Sequence, residues 1–85
     1  MYYVYVLKSK KDGNLYIGCT GDLDNRLKCH NFGKVRSTKH RRPLKIIYKE
    51  SYTTKYEAFS QEKFYKTAQG KKIIKEKIEK YSGIV

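Results

Sequence analysis

Eighty-five residues are too few for two independent cores and predict one domain over residues 1–85. Hydrophobic residues make up 39% of the chain, and nine Tyr and three Phe recur in ordered patterns, which excludes intrinsic disorder; no apolar run is long enough to span a membrane. Twenty Lys and Arg against eight Asp and Glu leave a net charge of +12, and the common partner of such a field is nucleic acid, with an anionic membrane second.

At the start, Met1-Tyr2-Tyr3-Val4 places no basic region before an apolar stretch, so no secretory signal is expected and the chain reads as cytoplasmic. Cys19 and Cys29 are then expected as free thiols. A zinc site from Cys19, Cys29, His30 and His40 is disfavoured: no C-x2-C or H-x3-H spacing occurs, and neighbours on a helix point about 100° apart.

Tyr2 to Leu7, rich in aromatic and β-branched residues, predicts a strand. Lys11-Asp12-Gly13-Asn14 is a turn signal, and Leu15 to Thr20 predicts the second strand of a hairpin. Asp22 can cap a helix running to about Asn31, with Leu23, Leu27 and Cys29 near its inner face and Gly33 as its stop. Lys34 to Pro43 reads as a basic loop, and Leu44 to Glu50 as a third strand alternating Leu44, Ile46 and Tyr48. Thr54-x-x-Glu57 is a capping box opening a helix to about Thr67, which Gly70 is expected to break. Lys71 to Tyr81 predicts a last amphipathic helix with Ile74, Ile78 and Tyr81 inward and Lys71, Lys72, Lys75, Lys77 and Lys80 toward solvent. The order β-β-α-β-α-α predicts an α+β fold: a small three-stranded sheet with helices on one or both faces.

Three features can carry chemistry. An even hairpin loop puts residues of opposite parity on one face, so Tyr5 and Tyr16 share a face with Tyr3 and Gly18. Gly18 leaves room there for a phosphate, although tyrosines also pack across strands for stability alone. Arg26 and His30, at i and i+4, lie one above the other at the edge of the Leu23–Leu27 stripe. An Arg there can clamp a phosphate and a His can move a proton, or the pair is a solvated Arg and a His favouring the helix C-terminus. On the next helix, a turn of about 100° per residue puts Glu62 between Ala58 and Phe59, within the apolar stripe. A carboxylate so placed needs a partner, either an ion pair with Arg26 or a lysine, or a Mg²⁺ or Mn²⁺ ion shared with substrate phosphate.

Together these residues resemble the GIY-YIG endonuclease domain, in particular the small stand-alone bacterial proteins made of that domain. Tyr3-Val4-Tyr5 stands where the family has Gly-Ile-Tyr, with Tyr3 in place of the Gly, and Tyr16-Ile17-Gly18 is the YIG motif intact. Asp22-Leu23-x-x-Arg26-Leu27-x-x-His30-Asn31 is similar to the helix with the active-site Arg and a following His. Gly33-Lys34-Val35-x-Ser37-Thr38-Lys39-x-Arg41-Arg42-Pro43 is similar to the loop of the stand-alone group, and Ala58-x-x-x-Glu62-x-x-x-Lys66 to the helix bearing the metal-binding Glu.

The resemblance implies a three-stranded antiparallel sheet flanked by helices and a divalent-metal-dependent nuclease acting on phosphodiester bonds, with DNA the more expected substrate than RNA. It implies Tyr16 as general base, directly or through a metal-bound water, Tyr5 as a hydrogen-bonding partner of Tyr16, the water or the phosphate, Arg26 on the charge building at phosphate, His30 as orienting or proton-relaying group, and Glu62 as ligand of Mg²⁺ or Mn²⁺. Lys34, Arg36, Lys39, Arg41 and Arg42 are expected to contact phosphates. No helix offers an exposed face of base-reaching residues, so cleavage is expected to follow strand structure rather than sequence. No membrane partner is expected, and the chain is expected as a monomer or weak homodimer. The alternative is a catalytically silent nucleic-acid-binding module of the same fold. Tyr16, Arg26 and Glu62 argue against it, since binding alone needs only the basic loop.

Overall fold

The computed structural model describes residues 1–83. Its elements are β1 (Tyr2–Ser9), β2 (Leu15–Thr20), α1 (Leu23–Asn31), β3 (Leu44–Tyr52), α2 (Lys55–Tyr65) and α3 (Ala68–Gly83). The order is the predicted β-β-α-β-α-α, and the antiparallel sheet runs β2-β1-β3. Helices cover both faces. On one, α1 sets Leu23 and Leu27 against Tyr5, Leu7 and Leu44. On the other, Ala58 and Tyr65 of α2 and Ile74 of α3 close over Val4 and Val6. The central strand β1 is therefore buried from Val4 to Leu7, which fixes its register by its two apolar faces.

Local chemistry sets most boundaries. Gly13 takes φ +75° in the hairpin turn, where Asn14 N–H donates to Asp12 Oδ1 at 2.9 Å. Asp22 caps α1 by accepting from Asn25 N–H at 3.2 Å, and Gly33 at φ +76° ends the chain's helical path. Thr54 caps α2 by accepting from Glu57 N–H at 3.2 Å, one half of the capping box, while its hydroxyl donates to Glu57 Oε1 at 3.0 Å in place of the reciprocal backbone bond. The chain from Lys34 to Pro43, read as a plain loop, contains a 3₁₀ turn over Lys39–Arg41. Cys19 and Cys29 are free thiols.

Two expectations on the helices are corrected. The α2–α3 break falls at Lys66–Thr67, and Gly70 lies in the first turn of α3. Thr67 is the stop and the restart at once: its hydroxyl accepts from Gly70 N–H at 3.0 Å, an N-cap hydrogen bond. Gly70 is needed for closeness rather than for breaking, since a Cβ there would lie 1.8 Å from the Phe64 carbonyl oxygen. The inner stripe of α2 is also narrower than the periodicity suggests. Phe59 is 48% exposed, which leaves Glu62 at the border of the stripe instead of its middle.

The third correction concerns β3, which continues to Tyr52. A bulge opposite Val6/Leu7 leaves Ile47 without a partner in the ladder, as Val6 pairs with Tyr48 and Leu7 with Ile46. Leu44 and Ile46 therefore face α1, while Tyr48, Glu50 and Tyr52 face α2 and α3. The flip builds a polar cluster. Glu50 accepts from Tyr52 Oη at 2.6 Å, from Tyr65 Oη at 2.8 Å, from Lys77 Nζ at 3.0 Å and from Tyr48 Oη. Burial alone would raise the Glu50 carboxyl, but these donors outweigh it and hold it below the ordinary carboxylate range. Lys77, expected on the solvent side, is drawn into this cluster.

Candidate active site

The antiparallel register pairs Tyr5 with Gly18 and Leu7 with Tyr16, so both phenols stand on the face covered by α1. Gly18 is there for space. A Cβ at that position would lie 2.4 Å from Tyr5 Oη, so the phenol of Tyr5 lies directly over the Gly18 backbone. Arg26 and His30 come down from the inner edge of α1, one turn apart. Tyr5 Oη lies 3.0 Å from His30 Nε2, and Arg26 Nε donates to Tyr5 Oη at 3.4 Å. The Tyr16 ring packs edge-on to His30 with centroids 5.0 Å apart, and 6.5 Å from the Tyr5 ring. Tyr5, Tyr16, Arg26 and His30 thus form one group.

Thr38, fully buried in the chain after α1, sets its hydroxyl oxygen 2.8 Å from His30 Nδ1 and 3.5 Å from the Val35 carbonyl. Tyr5 Oη accepts from Arg26, a group that can only donate. Both ring nitrogens of His30 are thus bonded, Nε2 to Tyr5 and Nδ1 to Thr38, and either neutral tautomer satisfies the pair. Thr38 was invisible in sequence: a hydroxyl among loop cations carries no signal until the fold brings it under His30.

Electrostatics moves Tyr5, Arg26 and His30 from their ordinary states. Burial raises the Tyr5 pKa above the usual phenol value; the Arg26 hydrogen bond opposes this, and Tyr16 and Glu62 add to it. Arg26 is held above its ordinary value, chiefly by its hydrogen bond to Tyr5 and further by Tyr16. Burial first and the Arg26 charge second push His30 down to about 4 from 6.5. A neutral buried His30 is therefore not a charged cap of the α1 C-terminus. The linkage has a definite sign: between those values the unfolded chain takes up a proton that the folded chain refuses. The His30 contribution to stability should be level above about pH 6.5 and fall by up to roughly 3 kcal/mol as the pH drops toward 4. Urea melts from about pH 7 down to about pH 5 check this. His30→Gln should flatten the slope in that window, and an unchanged slope would contradict it.

Glu62 lies on the opposite side of edge strand β2, where its charge raises both Cys19 and Tyr5. Its carboxylate pairs with Lys66 Nζ at 2.8 Å; the Glu62 side chain is 14% exposed and that of Lys66 51%. The ion pair with a lysine, one of the two partners the sequence leaves open, is thus formed, and Lys66 is exposed enough to swing aside. Among the described residues no three His, Cys, Asp or Glu side chains gather into a metal-binding group. A lone carboxylate suits Mg²⁺ or Mn²⁺, which keep several waters and take substrate phosphate oxygens, and does not suit an all-protein cage.

Of the expected phosphate contacts, Lys34, Arg36, Lys39 and Arg42 are exposed. Arg41 is engaged: its Nε lies 3.5 Å from Asp12 Oδ2, its Nη2 donates to Leu15 O at 3.2 Å, and its carbonyl accepts from Ser9 Oγ at 2.6 Å. It fastens the basic segment to the hairpin turn, while Thr38 fastens the same segment to His30.

A sheet with a Tyr pair over a Gly, an Arg and His from the following helix, and a Glu across the sheet edge defines a class. A family model described as the GIY-YIG catalytic domain matches residues 1–79, and the chain belongs to this family of nucleases. Within it the chain is 49% identical over 72 residues to a UPF0213 protein of Bacillus pumilus, covering 84% of this chain and 72% of the relative. A UPF0213 protein of Staphylococcus epidermidis is 43% identical over 79 residues, covering 88% of this chain and 95% of the relative. The solution NMR structure of a UPF0213 protein from Bacillus halodurans matches with a TM-score of 0.52 at 35% identity, over 87% of this chain and 82% of that one.

Proposed function

We propose that this protein is a divalent-metal-dependent endonuclease that hydrolyses phosphodiester bonds in DNA, directed by strand structure rather than sequence and acting in the cytoplasm. The observation that carries this reading is the gathering of Tyr5, Tyr16, Arg26 and His30 over Gly18, with the Glu62 charge in reach of Tyr5. Tyr16, the phenol not committed to His30, takes the proton of the attacking water. Arg26 donates to the phosphate oxygens as charge builds on them. Tyr5 holds Arg26, His30 holds Tyr5, and Thr38 holds the other ring nitrogen of His30. Glu62 would hold Mg²⁺ or Mn²⁺, which supplies Lewis-acid polarisation of the phosphate. Incubation with labelled duplex, branched DNA and RNA, each with Mg²⁺, Mn²⁺ or chelator, tests the reading. Metal-dependent cleavage of DNA is expected, and binding without cleavage of any substrate would leave the silent-module alternative.

The net charge and the four exposed cations of the Lys34–Arg42 segment support phosphate contact there. Replacing Lys34, Arg36, Lys39 and Arg42 by Ala, with the structural Arg41 kept, should weaken binding on every sequence. The slope of log affinity against log salt should shrink by about 1 for each phosphate no longer neutralised. An unchanged slope would place the footprint elsewhere.

A further inference from the structure

The outer face of α2 carries an arrangement that neither the core nor the site above accounts for. Tyr56 is 78% exposed and Phe59 48% exposed, among the largest exposures of any aromatic in the described chain. Lys55, Tyr56 and Phe59 line an open hollow, and Lys63 Nζ stands 4.5 Å from the centroid of the Phe59 ring. At about 100° per residue, the order round the helix from the core edge outward is Glu62, Lys55, Lys66, Phe59, Lys63, Tyr56. Beyond Glu62 this arc holds only lysines and aromatic rings. Lys55 and Glu62 both act on the Cys19 thiol, one lowering and one raising it, so the arc begins at the same edge of β2 that Glu62 overlooks.

We infer that Tyr56 and Phe59 are a stacking platform for the bases of an unpaired nucleic-acid strand whose phosphates lie among Lys55, Lys63 and Lys66. Rings interleaved with cations match the two surfaces of a single strand, flat apolar bases and an anionic backbone. A duplex does not fit: its base faces are already stacked on each other, and rings on a convex helix reach only bases that have left the stack. Phe59 and Glu62 are i and i+3, about 5–6 Å apart at Cβ, so a strand held on the platform passes the Glu62 carboxylate. The inference names a substrate class for the proposed nuclease site, and only this last step rests on that reading.

The test reads binding with divalent ions chelated, so it stands whether or not the protein cuts. A short single strand carrying 2-aminopurine reports stacking by loss of fluorescence, and the chain has no Trp to interfere. Wild-type protein should quench the probe and bind the strand about tenfold or more tightly than the Tyr56→Ala/Phe59→Ala variant does. A matched duplex should bind both alike. Tyr56→Phe, which keeps the ring, should retain wild-type affinity, and unchanged melting temperatures confirm that these exposed replacements leave the fold alone. Equal affinity of wild type and double variant for the single strand would overturn the inference. So would an equal loss on duplex, or a change in sedimentation without nucleic acid while single-strand affinity is kept, which would make the patch an interface between copies. Metal-dependent cleavage of duplex by the double variant at the wild-type rate, alongside a loss of single-strand binding, would leave both the platform and the nuclease reading in place. Failure of the wild type to cleave anything, with stacking retained, would remove the nuclease reading alone.

Discussion

Tyr16→Phe should cleave a labelled DNA substrate about 10²–10⁴-fold more slowly in single turnover, the loss expected of a general base. The ring stays, and Tyr16 is only half-buried, so stability should change by less than about 1 kcal/mol. Tyr5→Phe is the informative contrast. Its hydroxyl sits under α1 with 1% of the residue exposed, accepts from Arg26 and is hydrogen-bonded to His30 Nε2. Removing it leaves His30 Nε2 buried without a partner, a cost of about 1–3 kcal/mol in stability. The two variants should therefore separate: Tyr16→Phe loses rate and keeps stability, while Tyr5→Phe loses stability and keeps the larger share of rate. A wild-type rate for Tyr16→Phe with a collapsed rate for Tyr5→Phe would assign the base to Tyr5.

The second large effect lies on the opposite face of the sheet. Glu50→Ala should destabilise the protein by about 3 kcal/mol, toward the lower end of the cost of removing one side of a buried ionic network, since this one is partly buried. Three phenols and the Lys77 ammonium donate to this carboxylate or to one another, and Lys77 Nζ also donates to Tyr65 Oη at 2.6 Å. Deleting the acceptor leaves Tyr48 and Tyr52 without their partner and Tyr65 and Lys77 with only each other. A domain of this size has roughly 4–13 kcal/mol in total, so the melting temperature should drop by about 15 °C or more. The same cluster sets the alkaline limit. Burial, and after it the Glu50 carboxylate, push Tyr48 and Tyr52 above the ordinary phenol range. Above about pH 10 the unfolded chain therefore loses protons that the folded chain keeps, and stability should fall. Thermal melts of wild type and variant check both statements, and a melting temperature within a few degrees of wild type would show that the cluster carries little.

How far these features were legible in sequence depended on whether local geometry alone determined them. The face shared by Tyr5, Tyr16 and Gly18 follows from the parity of a short hairpin, and Arg26 with His30 follows from the i, i+4 spacing of one capped helix. Both needed only neighbouring residues. Glu50 was missed because the parity of β3 flips at Ile47, and a bulge is decided by the partner strand rather than by the strand's own pattern. A helical wheel places Phe59 inward because it gives only the spacing of residues, while the centre of the buried stripe is set by the sheet it lands on. Gly70 has the signature of a break because Gly often ends helices; here Thr67 supplies the cap and the Gly allows α3 to pass the Phe64 carbonyl. Thr38 required the return of a loop to a helix eight residues earlier, a contact that no local rule encodes.

The central claim, that these side chains form a metal-assisted phosphodiester hydrolase, turns on Glu62. Glu62→Gln keeps the size of the side chain and removes the charge that would hold Mg²⁺ or Mn²⁺. The pair it loses joins the 14% exposed Glu62 side chain to the 51% exposed Lys66 one turn on, and an ion pair with one end in solvent is worth about 1 kcal/mol or less, so the fold should survive. The decisive measurement is single-turnover cleavage of labelled DNA by wild type and Glu62→Gln across a Mn²⁺ titration, with nucleic-acid affinity measured on the same samples under chelation. Metal-dependent cleavage is expected of the wild type and none of Glu62→Gln at any metal concentration, with equal affinity for both. Cleavage by Glu62→Gln at the wild-type rate with the same metal dependence would contradict the central claim.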